Sequence, residues 1–218
     1  MTLAIFDLDN TLIGGDSDHL WAQFAAEQGL VDSANFRAQA DRFYSDYERG
    51  ELDIMAYLRF ALSPLKGQRV EVAARWHRQF MREKIEPIFL PRAHALLQRH
   101  RDSGDELLII TATNRYITGP IASALGVDEL IACDAEVAQG VYTGEPAGVP
   151  SYREGKVTRL HEWLQERQLS LHGAWFYSDS HNDLPLLELV DNPVAVDPDA
   201  TLLARAREMG WQVISLRE

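Results

Sequence analysis

Acidic, hydroxyl and ammonium side chains recur at the tips of apolar runs along this chain. Asp7 and Asp9 lie in Asp7-Leu8-Asp9-Asn10-Thr11; Thr111, Lys156, Asp179 and Asp183 follow. Two carboxylates two residues apart just past a strand point the same way while the strand conformation persists. One can attack phosphorus while the other handles protons. Two anions repel unless a cation is held between them. Mg²⁺ suits that task, bound by one or two carboxylates, a substrate oxygen and several waters. Asp179 completes the acidic patch, and Asp183, four residues on and read as one turn up the following helix, can support a metal-bound water. Thr111 closes a strong apolar strand and can donate to a phosphate oxygen. Lys156 offers a point charge to the same phosphate and to the attacking carboxylate. Asp9 would protonate the departing alkoxide and then draw a proton from the water that hydrolyses an aspartyl-phosphate. Taken singly, each of these residues suits a turn, a cap or a solvated face; their joint order along the chain points to phosphoryl transfer.

The elements that must position them read as follows. Leu3-Ala4-Ile5-Phe6 is a buried strand ending in acid, within a buried Met1 to Asp7. Apolar residues then recur at helical spacing, as at Leu20, Trp21, Phe24 and Ala25, and again from Phe36 to Tyr47. This predicts about four helices, with breaks near Gly29, Gly50 and Pro64-Leu65-Lys66-Gly67. After Pro91 strands alternate with helices: Leu107 to Thr111, Ala174 to Tyr177, Pro193 to Val196 and Gln212 to Ser215 are strands. Helices are expected at Ala93 to Arg101, Ile117 to Leu125, Glu154 to Arg167, Leu184 to Val190 and Ala200 to Met209, with a hairpin from Ala135 to Thr143 around Gly140. The expected fold is α/β, a Rossmann-like doubly wound parallel sheet core with an inserted helical cap domain. Residues 1–15 and 86–218 form the core and residues 16–85 the cap. Ligands of such sheets bind beyond the carboxyl ends of the strands, where the acidic tips lie.

The bulk properties narrow the class. The 218 residues are 46% hydrophobic and 25% charged with a net charge of −12, so a polyanionic partner is disfavoured: no nucleic acid and no membrane. Cys133 is the only cysteine, which rules out an internal disulfide and fits a cytoplasmic setting. It reads as a small buried hydrophobe without chemistry. His94, His100, His161 and His172 show no ligand spacing and read as surface residues. His181 sits inside the last acidic segment.

With those residues in place, the chain resembles the haloacid dehalogenase superfamily of phosphatases over essentially its whole length. Asp7-Leu8-Asp9-Asn10-Thr11 is similar to the first motif, Thr111 to the second, Lys156 to the third, and Ser178-Asp179-Ser180-His181-Asn182-Asp183 to the fourth. The resemblance implies Asp7 as nucleophile and Asp9 as acid/base. It implies Mg²⁺ held by Asp7, the Asp9 carbonyl and Asp179 with Asp183 in support, and phosphate bound by Thr111, Lys156 and Asn10. The helical insertion resembles the phosphoserine phosphatase-like branch through Tyr47-Glu48-Arg49-Gly50-Glu51-Leu52-Asp53 and Tyr57-Leu58-Arg59. Two departures concern the substrate. Thr111-Ala112-Thr113-Asn114 replaces the branch's glycines, and Ala61 stands where an arginine would hold a substrate carboxylate. Arg59, two residues away, lies on another helix face. Asp16, Asp18 and His19 at the cap entrance favour an amine without a carboxylate, as in histidinol phosphate; equally, the two acids could cap the helix starting near His19. Trp21, Phe24, Tyr44 and Tyr57 read as cap interior. Phosphoserine hydrolysis, a phosphotransferase or phosphomutase, a lipid-phosphate phosphatase and a metal- and phosphate-binding regulator without turnover stay open, in a monomer or homodimer. Cap closure is expected about Gly14-Gly15 and Ile85 to Leu90.

Overall fold

The computed structural model describes residues 2–127 and 129–217; Met1, Asp128 and Glu218 lie outside the described residues. Strand β1 (Leu3–Phe6) is buried at every position. Its alternate side chains feed two cores. Leu3 and Ile5 join Leu108, Ile110 and Phe176, whereas Ala4 and Phe6 join Leu107, Ile109 and Tyr177. A strand covered on both faces is apolar throughout, which is why this segment lacks alternation.

Between β1 and the next strand lie helices α1 (Ser17–Glu27), α2 (Ser33–Glu48), α3 (Ile54–Leu62) and α4 (Val70–Phe80). A π-helical turn, Met81–Ile85, and a 3-10 turn, Glu86–Ile88, lead back to the sheet. The insertion leaves and returns side by side, as Ile13 bridges Phe89 and Gly14 N–H donates to the Ile88 carbonyl at 2.8 Å. Trp21, Phe24, Phe80 and Ile85 belong to the same apolar core as Phe6 and Ile109, so α1 and α4 are continuous with the sheet. Ala22 together with Phe36 and Ala40 of α2 makes a separate small cluster, backed by Phe60 of α3.

The chain continues through α5 (Pro91–Asp102), β2 (Glu106–Asn114), α6 (Arg115–Ala124), β3 (Glu129–Ala138), β4 (Val141–Ala147) and α7 (Glu154–Arg167). It closes with β5 (Trp175–Ser178), the short α8 (Leu184–Leu187), β6 (Asn192–Val196), α9 (Ala200–Met209) and β7 (Gln212–Ile214). The sheet order is β4-β3-β2-β1-β5-β6-β7, parallel except for the β3–β4 pair. This is the expected doubly wound α/β sheet. Gln139 and Gly140 both have positive φ and link paired Ala138 and Val141, the conformation a tight two-residue hairpin requires. Among the described residues, no helix is long and apolar enough to cross a membrane.

Three expectations need correction. Thr111 is not the end of its strand, because β2 runs on to Asn114 with a register shift after Ile110. Asp183 sits in a 3-10 turn, His181–Asp183, ahead of the helix and not one turn along it. His100 is buried; it bonds Asp105 through Nδ1 at 2.7 Å and the Tyr177 hydroxyl through Nε2 at 2.8 Å. The helical face of α5 that carries Leu96 and Leu97 also turns His100 onto the sheet, so two polar partners satisfy it.

Candidate active site

Strand β1, central in the sheet, delivers Asp7 to the carboxyl-terminal end of the strands, where its N–H still bonds the Tyr177 carbonyl of β5 at 2.8 Å. The backbone then turns, with Leu12 N–H returning to the Leu8 carbonyl at 2.9 Å. Asp7 is 7% exposed, and its Oδ1 accepts from Lys156 Nζ at 2.7 Å. Lys156, in the first turn of α7, also donates to Asp183 Oδ2 at 2.8 Å. Ser178 Oγ donates to that same carboxylate oxygen at 2.7 Å. Asp179 is held from across the sheet by Thr11 Oγ1 at 3.0 Å. Asp9 accepts from Ser17 N–H at 2.7 Å and from Thr113 Oγ1 at 2.8 Å. Thr111 Oγ1 accepts from Thr113 N–H at 3.1 Å.

The electrostatics follow from this crowding. Burial raises Asp7 well above the usual carboxylate range; Lys156 opposes it, while Asp183 and Asp179 add to it. Burial likewise raises Asp9 against the hydrogen bonds from Ser17 and Thr113. Asp179 is pushed up to about 7, chiefly by burial. For Lys156, burial works against the charge, but Asp183 and Asp7 outweigh it and the ammonium is held more tightly than usual. One ammonium thus faces several carboxylates, an arrangement with room for more positive charge. The donors are hard oxygens, which suits Mg²⁺. Among the described residues, no three acidic, histidine or cysteine side chains enclose a metal by themselves.

A pocket opens from Asp7, Asp9 and Thr111 into the inserted helices. Asp16 caps α1 by accepting from His19 N–H at 2.8 Å, as the capping reading expected. Asp18 lies inside α1, buried, and accepts from the Tyr57 hydroxyl at 2.5 Å. Both acids line the pocket with His19. Burial lifts Asp16 to about 7 and Asp18 to about 8, with neighbouring carboxylates adding to each. Trp21 and Phe24 are buried core as expected, with Trp21 also bordering the pocket, whereas Tyr44 and Tyr57 form pocket wall.

Two expected residues point elsewhere. Arg59 is exposed and pairs with Glu145 of β4 at 2.8 Å, while Ala61 faces the pocket. A helix places residues two apart on different faces, so one of the pair had to leave. Asn10, at φ 56°, turns its side-chain carbonyl to Arg217 Nη2 at 3.2 Å. Cys133 is buried, accepts from Ser151 N–H and has its thiol pushed up to about 12 by burial, in keeping with an inert role. Sequence reasoning assigns no site role to Thr113 or Ser17, and it reads Tyr57 as cap interior rather than as a partner of Asp18. The signal for Thr113 was present in Thr111-Ala112-Thr113, because i and i+2 share a strand face.

Residues 4–188 match the haloacid dehalogenase-like hydrolase family. The chain belongs to that family. It is 49% identical to the histidinol-phosphatase of Neisseria meningitidis serogroup C (strain 8013), over 99% of each chain. It is also 32% identical to phosphoserine phosphatase SerB1 of Mycobacterium tuberculosis, over 98% of this chain and 70% of that protein. A crystal structure of a protein with unknown function from Bordetella pertussis Tohama I superposes with a TM-score of 0.93 at 44% identity, covering 99% of this chain and 100% of that one. A phosphoserine phosphatase in a phospho-aspartyl intermediate analogue form gives 0.72 at 17% identity, covering 100% and 94%, a likeness of fold.

Proposed function

We propose that this hydrolase cleaves a small, cation-bearing phosphate monoester, histidinol phosphate in particular, through an aspartyl-phosphate on Asp7 with Mg²⁺ bound. Asp7, the Asp9 carbonyl and Asp179 would hold the ion, which when bound neutralises charge on the transferring group and orients it. The Asp7 carboxylate forms a bond to phosphorus as the ester oxygen leaves, and Asp9 gives that oxygen its proton. Asp9 then takes a proton from water as the water's oxygen displaces Asp7 and frees inorganic phosphate. Lys156 fixes Asp7 in place from one side while Asp183 orients Lys156. Thr111 is the hydroxyl for a phosphate oxygen, and the bond from Thr113 aims Asp9. Residues 16–85 act as the cap that keeps water from the intermediate.

One observation carries the substrate reading. The pocket beyond the reacting end is lined by Asp16 and Asp18 and, among the described residues, by no lysine or arginine. A substrate carboxylate would find no cationic partner there and would push the pocket acids further toward their neutral forms, whereas an amine or imidazolium would draw them into their ionised forms and be paired. The 49% identity to a histidinol-phosphatase supports the same choice. With purified protein and Mg²⁺, kcat/KM for histidinol phosphate should exceed that for phosphoserine by at least about 100-fold, the difference between pairing one buried charge and repelling it. A preference for phosphoserine would overturn the substrate half of the proposal. Phosphate appearing on an organic acceptor instead of in solution would favour a phosphotransferase.

A further inference from the structure

Arg153, just ahead of α7 and three residues before Lys156, has φ 49° and ψ −121°. Non-glycine residues avoid that region, and they persist there only where their surroundings over-determine them. The segment is already crowded, since a Cβ on Gly155 would sit 2.1 Å from the Pro150 carbonyl oxygen. What holds Arg153 lies partly in the inserted helices. Its Nη2 donates to the Gly50 carbonyl at 2.7 Å, and its Nε donates to Asn182 Oδ1 at 3.0 Å.

Both partners are themselves constrained. Gly50 follows the end of α2 at φ 68°, a conformation that favours glycine, and a Cβ there would lie 2.3 Å from Arg153 Nη2 and push the guanidinium aside. Asn182 lies between Asp179 and Asp183. Its Oδ1 also accepts from the Tyr152 hydroxyl at 3.1 Å, and its Nδ2 donates to the Tyr47 carbonyl at 3.1 Å. The Tyr47 hydroxyl reaches the same loop, donating to Ser180 Oγ at 3.1 Å. The last turn of α2 therefore touches the acidic loop at two points, both through Tyr47, and the planar fork of Arg153 adds a bridge from Gly50 to Asn182.

We propose that Arg153 is a positioning residue whose guanidinium fastens the C-terminal end of α2 to the Asp179–Asp183 loop, so that seating the inserted helices over the pocket and setting that loop are a single event. Lysine cannot replace it, because one ammonium cannot span both carbonyl oxygens in the fork geometry.

The test compares R153A, R153K and G50A in the full chain, by amide hydrogen exchange and by steady-state hydrolysis of p-nitrophenyl phosphate with Mg²⁺. In R153A, exchange at residues 49–53 should quicken at least about tenfold while the amides of β2 and β5 keep wild-type protection, the mark of local opening. kcat should fall about tenfold with KM changed less than about threefold, because Arg153 acts on the acidic loop and not on the pocket wall. R153K should recover only part of either effect. G50A should reproduce the local quickening, and R153A/G50A should be less than additive, since the clash needs the guanidinium. Unchanged exchange at residues 49–53 in R153A overturns the proposal. So does a rise in β2 and β5 exchange in step with it, or full recovery in R153K. Should R153A not fold, R153K and G50A decide by the same criteria.

Discussion

Thr113 shows how the carboxylate proposed as acid/base, Asp9, is tuned by a neighbour that does no chemistry itself. Its hydroxyl and the Ser17 amide take one Asp9 oxygen each, and both bonds oppose the rise in pKa that burial imposes. An acid/base must be protonated for one step and ionised for the next, so its partners set how evenly the two forms are available. Thr113→Val keeps the shape and removes the donor. Its kcat should drop about 10- to 100-fold with KM little changed, measured as phosphate release, because the bond serves the proton transfer and not ground-state binding. Lys156 illustrates the opposite balance. Two buried carboxylates flank one ammonium, so the cation is secure and the acids remain short of positive charge.

At the scale of elements, α1 does two jobs. Its N-cap acid closes the helix by bonding the His19 amide, and its next acid, Asp18, turns inward to the Tyr57 hydroxyl of α3. Asp18 keeps its proton up to about pH 8 in the folded chain and loses it near the ordinary aspartate value of 3.8 when unfolded. The folded state thus binds the extra proton between those values, so stability falls as pH rises through that window and is greatest below it. Asp18→Asn can still accept from Tyr57 and has no charge to bury. It should raise stability at pH 8 by about 1–3 kcal/mol relative to the parent, with a smaller gain at pH 5, as read by urea denaturation at both pH values. On the proposed substrate, the same change should also weaken binding of histidinol phosphate, read as a raised KM.

For the whole molecule, the apolar core runs from the sheet through α1 and α4, whereas α2 contributes to a small cluster of its own. The parts best able to move are therefore α2 and the chain about it, and these are what Arg153 and Asn182 hold. The site at the strand tips gathers Asp7, Asp9, Asp179 and Asp183 from segments at opposite ends of the sequence around one lysine. Adding Mg²⁺ should raise Tm in a concentration-dependent way, by about 3 kcal/mol of linked stability when the ion is near 100 times its Kd. Chelation should reverse that shift and abolish turnover, and restored Mg²⁺ should return both.

Much of the architecture was legible along the chain because it depends on local order. A fully apolar four-residue strand ending in acid, 3.6-residue periodicity to Phe80 and alternating strands and helices after Pro91 yield the sheet and its insertion. The placement of Asp7, Asp9, Lys156 and Asp179 at strand tips and a helix start follows from the same reading. What only tertiary structure decided are contacts whose partners lie far apart in sequence. Thr11 reaches Asp179 across 168 residues, Thr113 reaches Asp9 across 104, and Arg153 reaches Gly50 across 103. The rotation of α3 turned Ala61 and Tyr57 to the pocket and Arg59 to Glu145, and the rotation of α5 buried His100. Spacing tells which residues share a face, but only packing tells what that face meets.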